Sequence, residues 1–467
     1  MSTVVVGGGL GGLACAHRLL ANDPRHELLL LEASDRLGGL VTTECVDGYV
    51  IERGPESMIT TKPAGVALAH ELGLGPRLLR TRASASGAYV VTRGRLERIP
   101  AGFSILAPTD FPALLRSPVL SPAGKLRALA DMVIPARVRE DDSLAAFVRR
   151  RFGQEVLDRL AQPLAGGIYG ADPEVLSLRS TMPRFLDAEQ PGGVARSLAR
   201  AARESGEVSS GARYGLFVSL PRGMQELTDT LSERVRGHAR LGARVTSLEP
   251  DAAGYRVRWE ERGVAHDTLA SRLVLALPSQ HVARLVEPFA PGLSNELAGF
   301  SVGSAAAVTL ALPLSAVPRP LDAYGFVVPA VERRPVLACT FSSAKWDGRA
   351  PDDVALLRVF FGGYANPRVH LESDERLLSL ARDGLREWLG ITRQPELVRV
   401  DRYLDAMPRY HVGHAQRVAR IEAQVARLPG LQLVGGAYHG VGMPDVIASA
   451  ERAVELGGHP RPAESSS

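Results

Sequence analysis

Cysteine is scarce in this sequence. Cys15, Cys45 and Cys339 are the only three in 467 residues, and none forms a C-x-x-C pair. That excludes a clustered zinc site and a disulfide framework, and it suits a reducing, cytoplasmic setting. No run approaches the eighteen or so apolar residues of a membrane-spanning helix. The Met1-Ser2-Thr3 start has no basic segment ahead of an apolar one, so no secretory signal is expected. Charge of one sign is missing too. The formal net charge is +4 and the arginines are dispersed, which fits an acidic ligand or an anionic membrane surface and gives no case for nucleic acid. No nucleophile, histidine and acid fall into a triad pattern, so no catalytic side chain is nominated.

What the chain does have begins at once. The apolar run Thr3-Val4-Val5-Val6 leads into Gly7-Gly8-Gly9-Leu10-Gly11-Gly12, and a helical pattern follows from Leu13 to Leu20. Gly7, Gly9 and Gly12 have the G-x-G-x-x-G spacing: one glycine for the turn, one for backbone approach to a pyrophosphate, one for close packing of helix on strand. The helix N-terminus would face the anion. A second buried strand, Leu28-Leu29-Leu30-Leu31, ends in Glu32, twenty residues after Gly12, where a carboxylate can accept a ribose hydroxyl. A dinucleotide site is the expectation.

Further along, a helix is expected from Ala64 to Leu72, closed by Gly73-Leu74-Gly75-Pro76. A hairpin is expected around Tyr89 to Leu96, with Arg93 and Arg95 at or beside its tip. From Pro100 to about Pro191 the period is helical, which reads as an inserted helical subdomain. Within it, Leu144 to Phe152 carries Arg149, Arg150 and Arg151, either as a solvated helix face or as a basic surface for anionic lipid. Gln190 to Arg213 has few large apolar residues and reads as a linker. A strand at Gly215 to Val218, a helix from Gly223 to Val235, and strands at Ala243 to Leu248, Tyr255 to Glu260 and Arg272 to Leu277 follow. The span from Val302 to Tyr403 is strand-like, with a helix from Glu375 to Leu389. The chain then repeats its opening device: a strand at Leu431 to Val434, a glycine turn, and a helix from Val446 to Leu456, ahead of a disordered tail from Pro460.

A nicotinamide dehydrogenase would continue its nucleotide domain as alternating strands and helices, and this chain does not. Glu32 is instead followed by Arg36-Leu37-Gly38-Gly39 and then by Glu52-Arg53-Gly54-Pro55-Glu56-Ser57. Here the sequence resembles the FAD-dependent amine-oxidase and porphyrinogen-oxidase superfamily. Gly166-Gly167-Ile168-Tyr169-Gly170, Met407-Pro408-Arg409-Tyr410-His411-Val412-Gly413-His414 and Tyr438-His439-Gly440-Val441-Gly442-Met443-Pro444-Asp445 make it more similar to the porphyrinogen oxidases, over nearly the whole chain. Pro100-Ala101-Gly102 with Pro108-Thr109, and Gly124 to Ala128, resemble the soluble, coproporphyrinogen-oxidising branch typical of Gram-positive bacteria.

The resemblance implies an α/β fold with three parts. They are a discontinuous, Rossmann-like FAD-binding domain (residues 1–78, 216–282 and 425–463), a mixed or antiparallel-sheet substrate domain (79–98, 190–215 and 283–424) and an inserted helical subdomain (99–189), with 464–467 as the tail. It implies non-covalent FAD held by Gly7, Gly8, Gly9, Leu10, Gly11 and Gly12 at the pyrophosphate, Glu32 and Ala33 at the ribose, and Arg36, Gly39 and Leu40 just beyond. Gly54, Pro55, Glu56 and Ser57 would run near the isoalloxazine, with Val245 near the adenine and Tyr403 on the flavin side at a position that is usually tryptophan. Val441, Gly442 and Met443 would present backbone N–H groups to the pyrimidine end. The implied reaction is the six-electron oxidation of coproporphyrinogen III to coproporphyrin III in haem biosynthesis, with dioxygen as acceptor and hydrogen peroxide as product; protoporphyrinogen IX is the alternative substrate. Such substrates carry propionates, for which Lys62, Arg93 and Arg95 are the candidate cations, with Tyr169 as a candidate pocket wall. Ferrochelatase is a candidate partner, a peripheral membrane contact is the other candidate from the charge reading above, and the oligomeric state is left open. His411, His414 and His439 lack a neighbouring acidic or cysteine ligand, so no metal site is assigned. A flavin amine oxidase and a non-catalytic porphyrin-binding protein are the competing readings.

Overall fold

The computed structural model describes residues 2–137, 139–204 and 217–457. The start of the strand expected at Gly215, the stretch 205–213 of the linker and the tail from Pro460 lie outside these residues. The first strand, Thr3–Val6, is buried on both faces, as a near-continuous apolar run requires. It sits at the centre of a five-stranded, all-parallel sheet in the order Ala239–Leu241, Leu28–Glu32, Thr3–Val6, Arg272–Leu275 and Leu431–Leu433. The strands come from three separate stretches of chain.

Alternation of side chains sends Val5, Leu30 and Val274 to one side of this sheet and Val4, Val6, Leu31 and Leu273 to the other. On the first side, the helix Leu10–Asn22 packs between the helices Gln225–Val235 and Met443–Gly457. On the second lies an antiparallel meander of Ala243–Asp251, Gly254–Glu261 and Val264–Ala270 together with the helices Ser279–Val286, Pro291–Ala298 and His414–Val425.

A second sheet has seven strands, in the order Leu397–Arg409, Ser301–Pro313, Val354–Gly362, Val336–Phe341, Gly325–Val327, Tyr89–Thr92 and Arg95–Arg98. Every pairing is antiparallel except Phe326 with Tyr89, so the sheet is mixed. One face carries Val308, Phe341, Val359 and Phe361 against the helix Asp374–Leu389, which contributes Leu377, Ala381, Leu385 and Trp388. Ser373 caps that helix by accepting from Arg376 N, and Gly390, at φ 74°, ends it. The opposite parity presents Ala338, Thr340, Arg358 and Phe360 to a cavity.

A buried charge cluster ties together the helices between Leu144 and Glu204 and the turn at Asp131. Arg151 is fully buried; its Nε donates to Asp131 Oδ1 at 2.6 Å and its Nη2 to Asp131 O at 2.7 Å. Asp131 Oδ2 in turn accepts from Ala195 N at 3.0 Å. This corrects the linker reading of 190–204: Val194–Glu204 is a helix, with Val194 and Ala195 in the helical-subdomain core. Alanine and arginine propagate a helix without large apolar residues, and a carboxylate held at the first turn satisfies its free N–H groups. The basic stretch Leu144–Arg151 is also used internally. Phe147 and Val148 are buried, while Arg149 pairs with Glu174, Arg150 with Glu189 and Asp142, and Arg151 with Asp131. All three arginines of the helix are thus paired within the fold.

Candidate functional site

The glycine turn joins strand to helix by contacts that only glycine allows. Gly7 has φ +103°, and a Cβ there would come 2.4 Å from Ala276 O. A Cβ on Gly12 would lie 1.8 Å from Gly7 O, so the helix is pressed directly against the strand. Gly9 is different: a Cβ there would meet nothing closer than Gly39 Cα at 4.0 Å. Space is therefore open above the N-cap of Leu10–Asn22, a helix with no acidic residue in its first turn and no side-chain cap. The free N–H groups and the positive end of the helix dipole face that space, which fits a pyrophosphate.

Glu32 closes one end of the cradle. Its Oε2 accepts from Gly8 N at 2.7 Å and its Oε1 from Ser34 N at 2.8 Å, which fixes the carboxylate at the strand end with lone pairs left for a ribose. Gly242 N donates to Ser34 O at 2.8 Å, so the strand carrying half-buried Val245 starts beside exposed Ala33. The Arg36 guanidinium donates to Gly39 O at 2.7 Å and Val41 O at 2.9 Å, and so braces the loop that runs on to Leu40. Leu40 is 58% exposed although large and apolar, at the rim of the cavity, where a flat aromatic ring would cover it. A Cβ on Gly54 would lie 1.9 Å from Leu40 O, which ties this loop to the next.

Gly54, Pro55 and Glu56 then form a wall of a cavity of about 450 Å³ between the two sheets and the helical subdomain. Its lining is mostly apolar, including Ile168, Leu337, Phe360 and Met407. The Glu56 side chain is only 10% exposed, pairs with Lys345 Nζ at 3.0 Å and accepts from the indole N–H of Trp346. Burial alone would raise its pKa, but Lys345 and Trp346 together hold it below the usual carboxylate range. Arg358 Nη1 donates to Gly54 O at 3.0 Å and Nη2 to the hydroxyl of Tyr403, which itself donates to Arg53 O at 2.9 Å. Tyr403 thus lines the cavity through a fixed network.

The closing turn is held from below by the M-P-R-Y-H-V-G-H segment. Tyr410 Oη donates to Gly436 O at 2.6 Å and accepts from Gly440 N at 2.8 Å. His414 stacks on Tyr410 with ring centroids 3.7 Å apart, and its Nε2 donates to Tyr438 O at 2.9 Å. Burial pushes His414 down to about 4, so the ring is neutral near pH 7. His439 pairs with Glu422 instead. Of the three N–H groups expected to face the cofactor, that of Gly442 is taken by Asp445 Oδ2 at 3.1 Å.

The candidate substrate cations are elsewhere. Lys62 Nζ pairs with Asp445 at 2.7 and 2.8 Å, where it neutralises the helix-capping carboxylate. Arg93 and Gly94 turn the hairpin at φ 52° and 75°, and their N–H groups donate to Glu332; the Arg93 side chain is exposed, 3.8 Å from Glu155, and Arg95 is exposed beside it. None of the three lines the cavity. Tyr169 is buried in the helical-subdomain core and donates to Thr181 O at 3.0 Å, while Gly167, Ile168 and Gly170 around it form the cavity wall. The segment expected to wall the pocket thus does so through its backbone neighbours rather than through the Tyr169 side chain.

The sequence matches the family described as flavin-containing amine oxidoreductase over residues 10–456. The chain belongs to that family. It is 34% identical to the coproporphyrinogen III oxidase of Propionibacterium freudenreichii, covering 97% of this chain and 90% of that one. It is 32% identical to the coproporphyrinogen III oxidase of Bacillus subtilis, covering 97% and 96%. A solved structure from Exiguobacterium, provisionally described as a protoporphyrinogen oxidase, superposes with a TM-score of 0.85 at 32% identity, over 97% of this chain and 98% of that one. The flavoenzyme fold of the family accounts for the pairing of a glycine cradle with a cavity roofed by a second sheet.

Sequence reasoning missed the cations that do line the cavity, Lys345, Arg358 and Arg409. One signal was available. Arg358 interrupts Val354-Ala355-Leu356-Leu357 and Val359-Phe360-Phe361, and a lone charge inside an apolar strand must meet a partner or a ligand.

Proposed function

We propose that this flavoenzyme binds FAD non-covalently and oxidises coproporphyrinogen III to coproporphyrin III, with three molecules of dioxygen reduced to three of hydrogen peroxide. The observation that carries the reading is the continuity of the Gly54 to Glu56 loop with both the glycine cradle and the mostly apolar cavity. The names of the relatives supply the substrate class. FAD, when bound, supplies the hydride acceptor and the route for electron pairs to dioxygen.

The chain's own groups then have defined tasks. Gly9 and the first turn of Leu10–Asn22 receive the pyrophosphate, and Glu32 receives the ribose. Ile168, Leu337, Phe360 and Met407 keep water from the reacting carbon. The Glu56–Lys345 and Arg358–Tyr403 networks fix the loop on which the ring rests, so no reorganisation is needed during turnover. Non-covalent binding is supported by the cysteines. None follows Cys339, and the Cys339 thiol is buried, donates to Thr340 O and is raised in pKa by burial. The free cysteines Cys15, Cys45 and Cys339 support a reducing, cytoplasmic compartment.

Protoporphyrinogen IX is the second reading, favoured by the description of the Exiguobacterium structure. Purified holoenzyme given each porphyrinogen separately decides: porphyrin fluorescence with matching peroxide is expected, faster for coproporphyrinogen III. Flavin-loaded protein that produces porphyrin from neither overturns the proposal.

A further inference from the structure

Among the described residues three cations line the cavity, and two are already committed to this chain. Lys345 is neutralised by Glu56 at 3.0 Å. Arg358 donates to Gly54 O and to the hydroxyl of Tyr403. Arg409 is not so engaged. It ends the strand Leu397–Arg409, paired with Ser301, and its guanidinium lies over Gly303, where a Cβ would come within 2.7 Å of Nε and Nη2. The missing side chain at Gly303 is what makes room for it. Among the described residues no carboxylate pairs with Arg409, and its buried Nε has no hydrogen-bond partner. Burial depresses its pKa and no acid offsets that. The side chain also borders a small depression beside Phe300, His411 and Arg417, so it stands where the cavity meets a second recess.

A half-buried guanidinium with no counter-ion has lost hydration without regaining a partner, and its planar fork matches a carboxylate. We propose that Arg409 is a specificity-determining residue that pairs with a carboxylate side chain of the substrate. This rests on the porphyrinogen reading above, whose substrate carries propionates. Arg409 positions the ring and takes no part in hydride transfer.

The test uses flavin-loaded wild type, Arg409→Gln and Arg409→Lys. With coproporphyrinogen III, Arg409→Gln should raise KM about ten-fold or more and leave kcat within about two-fold, because a charge-assisted pair made equally in ground and transition state is lost. Arg409→Lys, which keeps the charge and loses the fork, should fall between. Binding is measured in parallel, by fluorescence, with coproporphyrin III and its tetramethyl ester. Wild type should prefer the acid, and Arg409→Gln should lose most of that preference. An unchanged KM and an unchanged acid-to-ester ratio in Arg409→Gln overturn the inference. Should that variant lose flavin, the same two measurements on Arg409→Lys decide. If wild type oxidises neither porphyrinogen, the functional reading falls, and the acid-to-ester ratio still judges Arg409.

Discussion

Lys345→Met removes one half of a buried ion pair and should be among the most damaging single changes in the molecule. Lys345 is 7% exposed, and the Glu56 side chain that it neutralises at 3.0 Å is 10% exposed. Without the ammonium, Glu56 keeps the hydrogen bond from Trp346 and loses its nearest charge partner. Breaking a buried pair from one side costs about 3–5 kcal/mol, since the remaining charge is left uncompensated. With an unfolding entropy of roughly 2.1 cal/mol/K per residue over 467 residues, about 1 kcal/mol/K in all, the melting temperature should fall by about 3–5 °C. The pH dependence should reverse as well. In wild type, Glu56 is depressed below its ordinary 4.5, so it contributes stability above that value and loses it as pH falls through the folded pKa. In the variant, burial acts unopposed by Lys345 and raises the folded pKa, so the Glu56 contribution is present in acid and lost as pH rises from about 4.5 towards the raised value. The double variant Glu56→Gln with Lys345→Met removes both charges, and should recover most of the loss and flatten the profile. Thermal melts of the holoenzyme from pH 4 to 8 check each arm. A single variant that costs under about 1 kcal/mol, or a double variant no better than the single, refutes the argument that the pair is an interdependent buried unit.

Replacement of Gly9 by Leu fills the one open position of the cradle and should abolish flavin retention while secondary structure persists, read by absorbance after gel filtration. Tyr410→Phe leaves Gly436 O and Gly440 N without their partner and should cost about 1–3 kcal/mol, with faster flavin release measured by fluorescence recovery. Arg93→Ala and Arg95→Ala should each leave KM for coproporphyrinogen III within about two-fold, because exposed charges away from the cavity contribute little; a ten-fold rise would return the hairpin to the substrate path.

The parts of the site legible in sequence are those whose chemistry is carried by neighbours along the chain. Gly7, Gly9 and Gly12 could be read because a turn, an open approach and a close packing each demand glycine at a fixed offset, and each position has its own steric reason in the fold. Glu32 could be read because the strand it ends is itself marked by four leucines. The cavity cations have no such local mark. Arg358 reaches Tyr403 only because Thr340 pairs with Arg358 on one side and Ala305 pairs with both Gly362 and Tyr403 on the other, a register set by long-range ladders that no window of sequence contains. Arg93 and Arg95 drew attention for the opposite reason. A hairpin tip advertises its arginines locally, while Glu332 and Glu155, which place the tip outside the cavity, are distant in sequence. The same asymmetry explains Tyr169, whose glycine neighbours are what the cavity uses, and the helix at Val194, whose start depends on a carboxylate supplied by Asp131. Charged residues in this fold are therefore best judged by whether they have been answered within the chain: Lys345 by Glu56, Arg151 by Asp131, Lys62 by Asp445. Arg409, unanswered among the described residues, is where the chain's own chemistry leaves room for a ligand.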